Sequence, residues 1–152
     1  SRAVAKAVGR ALALLAGCLL LPAVNADLAG LLGDQPAVLS PQQAFAPQLA
    51  VGTDGRLQVQ FHIAPVHDLY RDRLLLTDAS GRPLRAQLPP GEAYDDPEFG
   101  AVAVLRGAQH IPLDLPASTG TIVRLRYQGC AQGRLCYAPV QVDLQQPGPN
   151  LP

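Results

Sequence analysis

The chain has 152 residues, with twelve basic and twelve acidic side chains, fifteen prolines, fourteen glycines and three cysteines; that is enough for one core with appendages. Arg2, Lys6 and Arg10 precede every acidic residue, and from Asp27 onward nine arginines face twelve acidic residues, a net charge of −3. A weakly acidic body without a basic patch argues against nucleic acid as a partner, and prolines spread along the chain leave little room for long helices.

Residues 1–26 read as a signal peptide: a basic start to Arg10, an apolar stretch from Ala11 to Leu21, then Val24-Asn25-Ala26 as small residues before a cleavage site. The apolar run is shorter than the roughly 20 residues that a membrane-spanning helix needs. Leu15-Ala16-Gly17-Cys18 resembles a lipoprotein processing box, but Leu19-Leu20-Leu21 directly after the cysteine makes it the weaker choice. Cleavage after Ala26 leaves two cysteines, Cys130 and Cys136, and an exported chain permits a disulfide between them.

Residues 27–39 form a lead-in broken by Gly30, Gly33 and Pro36. Ser40 followed by Pro41 predicts a short helical turn, with Ser40 as its cap. Thr53-Asp54-Gly55-Arg56 is a turn. Leu57, Val59, Phe61 and Ile63 then alternate with polar residues, the period of a half-buried strand. Further short strands are expected over 73–77, 84–88, 101–106, 111–115, 121–127 and 140–144, with Pro112 demoting its strand to an edge. About seven short strands separated by turns predict an all-β antiparallel sandwich over 40–144. The inter-sheet Cys…Trp…Cys signature is absent because there is no tryptophan. Residues 145–152, with three prolines and a glycine, read as a linker.

Tyr127-Gln128-Gly129-Cys130, then Leu135-Cys136-Tyr137-Ala138-Pro139, joins two of these strands and is the most informative stretch. Cysteines at the mouth of a hairpin can approach within the roughly 4.4–6.8 Å that a disulfide spans. As a staple, a seven-residue loop contributes only about 2.4 kcal/mol in the chain-entropy model, and strand pairing already closes it. An accessible pair suits thiol–disulfide exchange. Spacing alone leaves a structural staple in a non-catalytic binding module and a redox pair about equally placed.

The cysteine hairpin resembles that of the N-terminal periplasmic domain of the thiol:disulfide interchange protein DsbD family. Leu69-Tyr70-Arg71, Leu88-Pro89-Pro90-Gly91 and Asp96-Pro97-Glu98-Phe99-Gly100 resemble further family segments in the same order, so the likeness covers roughly 39–144. It implies an immunoglobulin-like sandwich with the redox pair at one end and no bound cofactor beyond that disulfide. It also implies a periplasmic domain, tethered to the inner membrane through the full-length protein, that acts as a protein-disulfide reductase. Electrons would come from a membrane-embedded redox domain, ultimately from NADPH through thioredoxin, and pass to disulfide isomerases and cytochrome c maturation thioredoxin-like proteins. By the same resemblance Cys136 attacks and Cys130 resolves. Asp96, Glu98, Phe99 and Gly100 form a cap loop over the pair. Tyr70, Tyr127 and Tyr137 are the candidate flanking residues, with ordinary half-buried strand packing the alternative, favoured for Tyr127. The family usually carries two aromatics before the cap-loop glycine; here the first position is Glu98. His62, His67 and His110 make no metal-ligand pattern with the cysteines, and no metal is expected.

Overall fold

The computed structural model describes residues 37–146; the stretch read as a signal peptide, most of that read as a lead-in and the end of that read as a linker lie outside them. One short helix, α1 (Pro41–Phe45), begins as expected at Ser40. The Ser40 hydroxyl accepts from the Gln43 N–H, and the Gln43 side chain accepts from the Ser40 N–H, a reciprocal cap that satisfies two otherwise orphaned donors. Ala46 ends the helix in the left-handed region, φ 41°.

Eleven strands follow: β1 (Gln48–Val51), β2 (Arg56–His62), β3 (His67–Tyr70), β4 (Leu75–Thr77), β5 (Glu92–Asp96), β6 (Gly100–Leu105), β7 (Ala108–Pro116), β8 (Val123–Tyr127), β9 (Gly129–Ala131), β10 (Leu135–Cys136) and β11 (Val140–Leu144). They pair antiparallel in three sheets, ordered β1-β2-β7, β10-β9-β3-β6-β5 and β11-β8-β4. The all-β antiparallel expectation holds. In β2 the alternating residues Leu57, Val59 and Phe61 are buried, each worth about 1.5–3 kcal/mol relative to exposure. They join Phe45, Leu49, Ile111, Leu113, Val123, Leu125 and Tyr127 in one core shared by the sheets. Pro112 sits in β7 at a sheet edge, as its missing donor requires. The stretch 84–88 departs from expectation: between Pro83 and Pro89 it makes only scattered bonds, chiefly Ala86 bridging Leu113.

One crossing positions everything at the cysteines. The β8 strand lies in the third sheet, and after Gln128 the same chain continues as β9 in the five-stranded sheet. The buried Gln128 side chain fastens this joint, accepting from Arg73 at 2.7 Å and donating to the Tyr137 carbonyl at 3.1 Å. Gly129 follows in a place without room for a side chain: a Cβ there would lie 2.3 Å from Phe45 Cζ and 2.4 Å from the Asp68 carbonyl oxygen. Gly129→Ala must therefore displace the Phe45 ring or β3, and overpacking of this kind costs about 1–3 kcal/mol or more. Urea unfolding should show a loss of at least about 2 kcal/mol; a loss under about 0.5 kcal/mol, the range of an indifferent surface site, would show that the contact yields freely.

Candidate functional site

Cys130 on β9 and Cys136 on β10 are direct cross-strand partners, and Asp68 on β3 is the next residue in the same row. The two cysteines are disulfide-bonded with Cα atoms 4.0 Å apart. That is closer than the range expected from sequence, because the pair is embedded in the ladder rather than beyond its last rung; facing residues of such pairs sit near 4.5 Å. Cys130 is buried, at 5 % exposure, and Cys136 is half-buried.

Side chains two apart on a strand share a face. Asp68 and Tyr70 thus both look toward the sulfurs, while Leu69 between them enters the main core. The Tyr70 hydroxyl donates to Asp96 Oδ2 at 2.5 Å and lies 2.7 Å from Cys130 Sγ and 3.7 Å from Cys136 Sγ. Burial, then the bond to Asp96 and the negative charges of Asp96, Asp68 and Glu98, push the Tyr70 phenol well above its ordinary value. It stays protonated at neutral pH and acts as a donor.

Asp96 is buried where β5 ends. Its Oδ1 accepts the backbone N–H groups of Glu98 and Phe99 at 2.8 and 3.0 Å, which folds the loop 96–100 over itself. Gly100 closes that loop with φ 75°. Burial alone would raise the Asp96 carboxyl; the bonds from Tyr70, Glu98 and Phe99, together with Arg73, outweigh it and hold the group below the usual carboxylate range. Phe99 stands edge-on to Tyr70 with ring centres 5.3 Å apart, and the Arg73 guanidinium sits 4.2 Å above it. Phe99, Tyr70, Val104 and Cys130 form a small apolar cluster, separate from the main core, that includes Cys136 at its edge. Glu98 and Pro97 line the open groove beside the sulfurs.

Two of the three tyrosines expected at the pair sit elsewhere. Tyr127 is in the main core between Phe45 and Phe61, its hydroxyl without a hydrogen-bond partner among the described residues. It takes the inward position of β8 and does not flank the disulfide. Tyr137 turns its ring onto His67 and donates to the Leu39 carbonyl at 2.8 Å, tying the lead-in to the cysteine hairpin.

Sequence reading missed Asp68. At 1 % exposure it accepts from Arg106 Nε at 2.5 Å and from Gln132, in the hairpin turn, at 2.9 Å; Arg106 also donates to Glu92. These bonds lash the hairpin to β5 and β6. Its position two residues before Tyr70 was the available signal. Asp96 and the two sulfurs bring possible ligand atoms within 4.8 Å of one another. Sulfurs bonded to each other carry neither thiolate nor proton; what joins the trio in this redox state is the Tyr70 hydroxyl, which donates to Asp96 and lies against Cys130 Sγ.

Val66, just before β3, has φ 57°. A β-branched residue there is a true outlier, costing on the order of 1–3 kcal/mol. Its carbonyl accepts from the Gln132 N–H at 2.9 Å.

Residues 35–146 match the family described as "Thiol:disulfide interchange protein DsbD, N-terminal". The chain is 43 % identical over 98 residues to thiol:disulfide interchange protein DsbD 2 of Pseudomonas aeruginosa, covering 63 % of this chain and 16 % of that protein. It is 30 % identical over 136 residues to DsbD of Actinobacillus pleuropneumoniae, covering 89 % and 23 %. The chain therefore spans less than a quarter of these relatives' length. Its fold is similar to the crystal structure of the reduced Neisseria meningitidis DsbD N-terminal domain, with TM-score 0.61, 29 % identity, and 73 % of this chain matched to 90 % of that one. It is likewise similar to a DsbD N-terminal domain in complex with the PilB N-terminal domain from the same species, with TM-score 0.56 and 28 % identity over 73 % and 88 %.

A depressed carboxyl stabilises the fold above its unfolded value, near pH 3.9, and that contribution fades as pH falls through the lower folded value. Wild type should therefore exceed Asp96→Asn by about 1–3 kcal/mol, constant from pH 7 down to about pH 4, with the two converging only below. Urea midpoints at each pH test this; convergence already between pH 7 and 5 would contradict it.

Proposed function

The chain belongs to the family of N-terminal domains of the thiol:disulfide interchange protein DsbD, and from that premise we propose that Cys130 and Cys136 pass electrons between proteins in the periplasm. The donor in this reading is a membrane-embedded redox domain of the same full-length protein, supplied in turn from NADPH through thioredoxin. The acceptors are oxidised periplasmic proteins of the thioredoxin fold, including disulfide isomerases and cytochrome c maturation proteins. The observation that carries the reading is the unequal exposure of the two sulfurs: one is buried against Tyr70 and the other half-buried beside an open groove.

In the reduced pair, the Cys130 thiol can donate to the Tyr70 oxygen while Tyr70 donates to Asp96. That chain favours the neutral thiol at Cys130 and leaves Cys136 as the sulfur that meets a partner. The Cys136 thiolate attacks one sulfur of the partner disulfide; a mixed disulfide forms and the partner's other sulfur leaves as thiolate, which takes up a proton. Cys130, on losing its proton, attacks Cys136 Sγ, and the partner departs as a dithiol with two electrons and two protons gained. A carboxyl held below its ordinary value is a poor base, so Asp96 serves to orient the Tyr70 hydroxyl and to pin the loop. Phe99 and that loop shield the buried sulfur from stray oxidants.

In Cys130→Ser, Cys136 still attacks but cannot be displaced, so a mixed disulfide with an oxidised thioredoxin-fold protein should accumulate on non-reducing gels. In Cys136→Ser such a complex should be at least tenfold rarer. Both variants should remain folded, since the lost cross-link is worth only about 2.4 kcal/mol of a typical 5–15. If both unfold and neither traps a partner, the disulfide is a staple; if Cys136→Ser traps more, the two roles are reversed.

A further inference from the structure

Among the described residues only Ala46 and Val66 combine a side chain with positive φ. The Ala46 conformation has an internal use, since its N–H closes α1 onto the Gln42 carbonyl. At Val66 the backbone has a use, holding Gln132 of the cysteine hairpin, but glycine would serve that bond without strain. The side chain finds little use inside the molecule: at 67 % exposure it is the most exposed large apolar residue described. A strained, solvent-facing valine therefore carries a cost that its side chain does not repay inside the described residues.

Its location says what makes that contact. Asp68, two residues on, pairs with Cys130, which pairs with Cys136. Two steps along a strand and two strand spacings put the Val66 backbone about 12 Å from that of Cys136. A protein that brings a disulfide sulfur onto Cys136 and buries a standard patch of about 800 Å² reaches as far as Val66 when the patch extends along β3. Leu135, beside Cys136, is the other exposed apolar side chain of this hairpin region. We infer that Val66 is a specificity-determining residue, an apolar contact for an oxidised thioredoxin-fold protein docking on the sulfur pair. This rests on the relay reading above and deepens it.

The test compares wild type, Val66→Gly and Val66→Asn, all pre-reduced. Each is assayed for transfer to oxidised protein disulfide isomerase and to the small disulfide 5,5′-dithiobis(2-nitrobenzoic acid), alongside urea unfolding. Glycine and asparagine both tolerate positive φ, so both variants should unfold at higher urea than wild type. Both should lose at least fivefold in the ratio of kcat/KM for the protein disulfide to that for the small one, with the loss in KM. A fall in the unfolding midpoint of both variants would show that Val66 packs internally and overturn the inference. So would a ratio within twofold of wild type, or a loss confined to Val66→Gly, which would point to backbone freedom instead. If wild type itself transfers nothing to the protein disulfide while reacting with the small one, the relay reading fails first, and the inference with it.

Discussion

The backbone at Gly129 runs against the Phe45 ring on one side and the Asp68 carbonyl on the other, at a separation no side chain fits. This close approach lets the strand leaving β8 cross into the second sheet immediately after its last core residue. It fixes the register in which Asp68, Cys130 and Cys136 occupy one row. Phe45 is in turn held by the capped helix before β1 and by edge contacts with Tyr127 and Tyr137. The disulfide therefore sits in its own small apolar cluster beside the main core, held in register by β3 and β9.

From that row the chemistry follows by alternation. The residues of β3 that face away from the core are Asp68 and Tyr70, and they meet the sulfurs with opposite tasks. Asp68 spends its charge on Arg106 and Gln132 and braces the hairpin. Tyr70 donates a hydrogen bond to Asp96, whose other oxygen holds the loop that carries Phe99 and Glu98. Three carboxylates surround the sulfurs, and two of them, Asp68 and Asp96, are tied into hydrogen bonds. Negative charge near a thiol disfavours the thiolate, which suits a pair that keeps its electrons until a partner docks.

Much of this was legible in the sequence, for physical reasons that differ by element. β2 announces itself because one face is buried and the other wet, giving the strict alternation from Leu57 to Ile63. The helix start at Ser40-Pro41 is written in capping chemistry. β5, with Glu92, Tyr94, Asp95 and Asp96, carries no period because it lies at a sheet edge with most of its residues exposed. β9 and β10 are too short to show one. The structure places Asp96, Pro97 and Glu98 along one groove with the two cysteines, and Phe99 in the apolar cluster beside them. Tyr127 was misplaced because adjacency in sequence to a cysteine says nothing about which face of a strand a residue occupies. Asp68 was missed because a lone acid in a short strand looks like a solvated one until its partners, Arg106 just past β6 and Gln132 in the hairpin, are known.

A disulfide poised for exchange differs from one built to last in its reduction potential. Equilibrating the domain with defined ratios of reduced and oxidised dithiothreitol, and counting free thiols at each ratio, gives the reduction potential of Cys130–Cys136 directly. A relay pair is predicted to lie above roughly −300 mV, between the potentials of thioredoxin and protein disulfide isomerase at about −270 and −180 mV. A potential well below about −300 mV, the range of structural disulfides in exported proteins, would contradict the account.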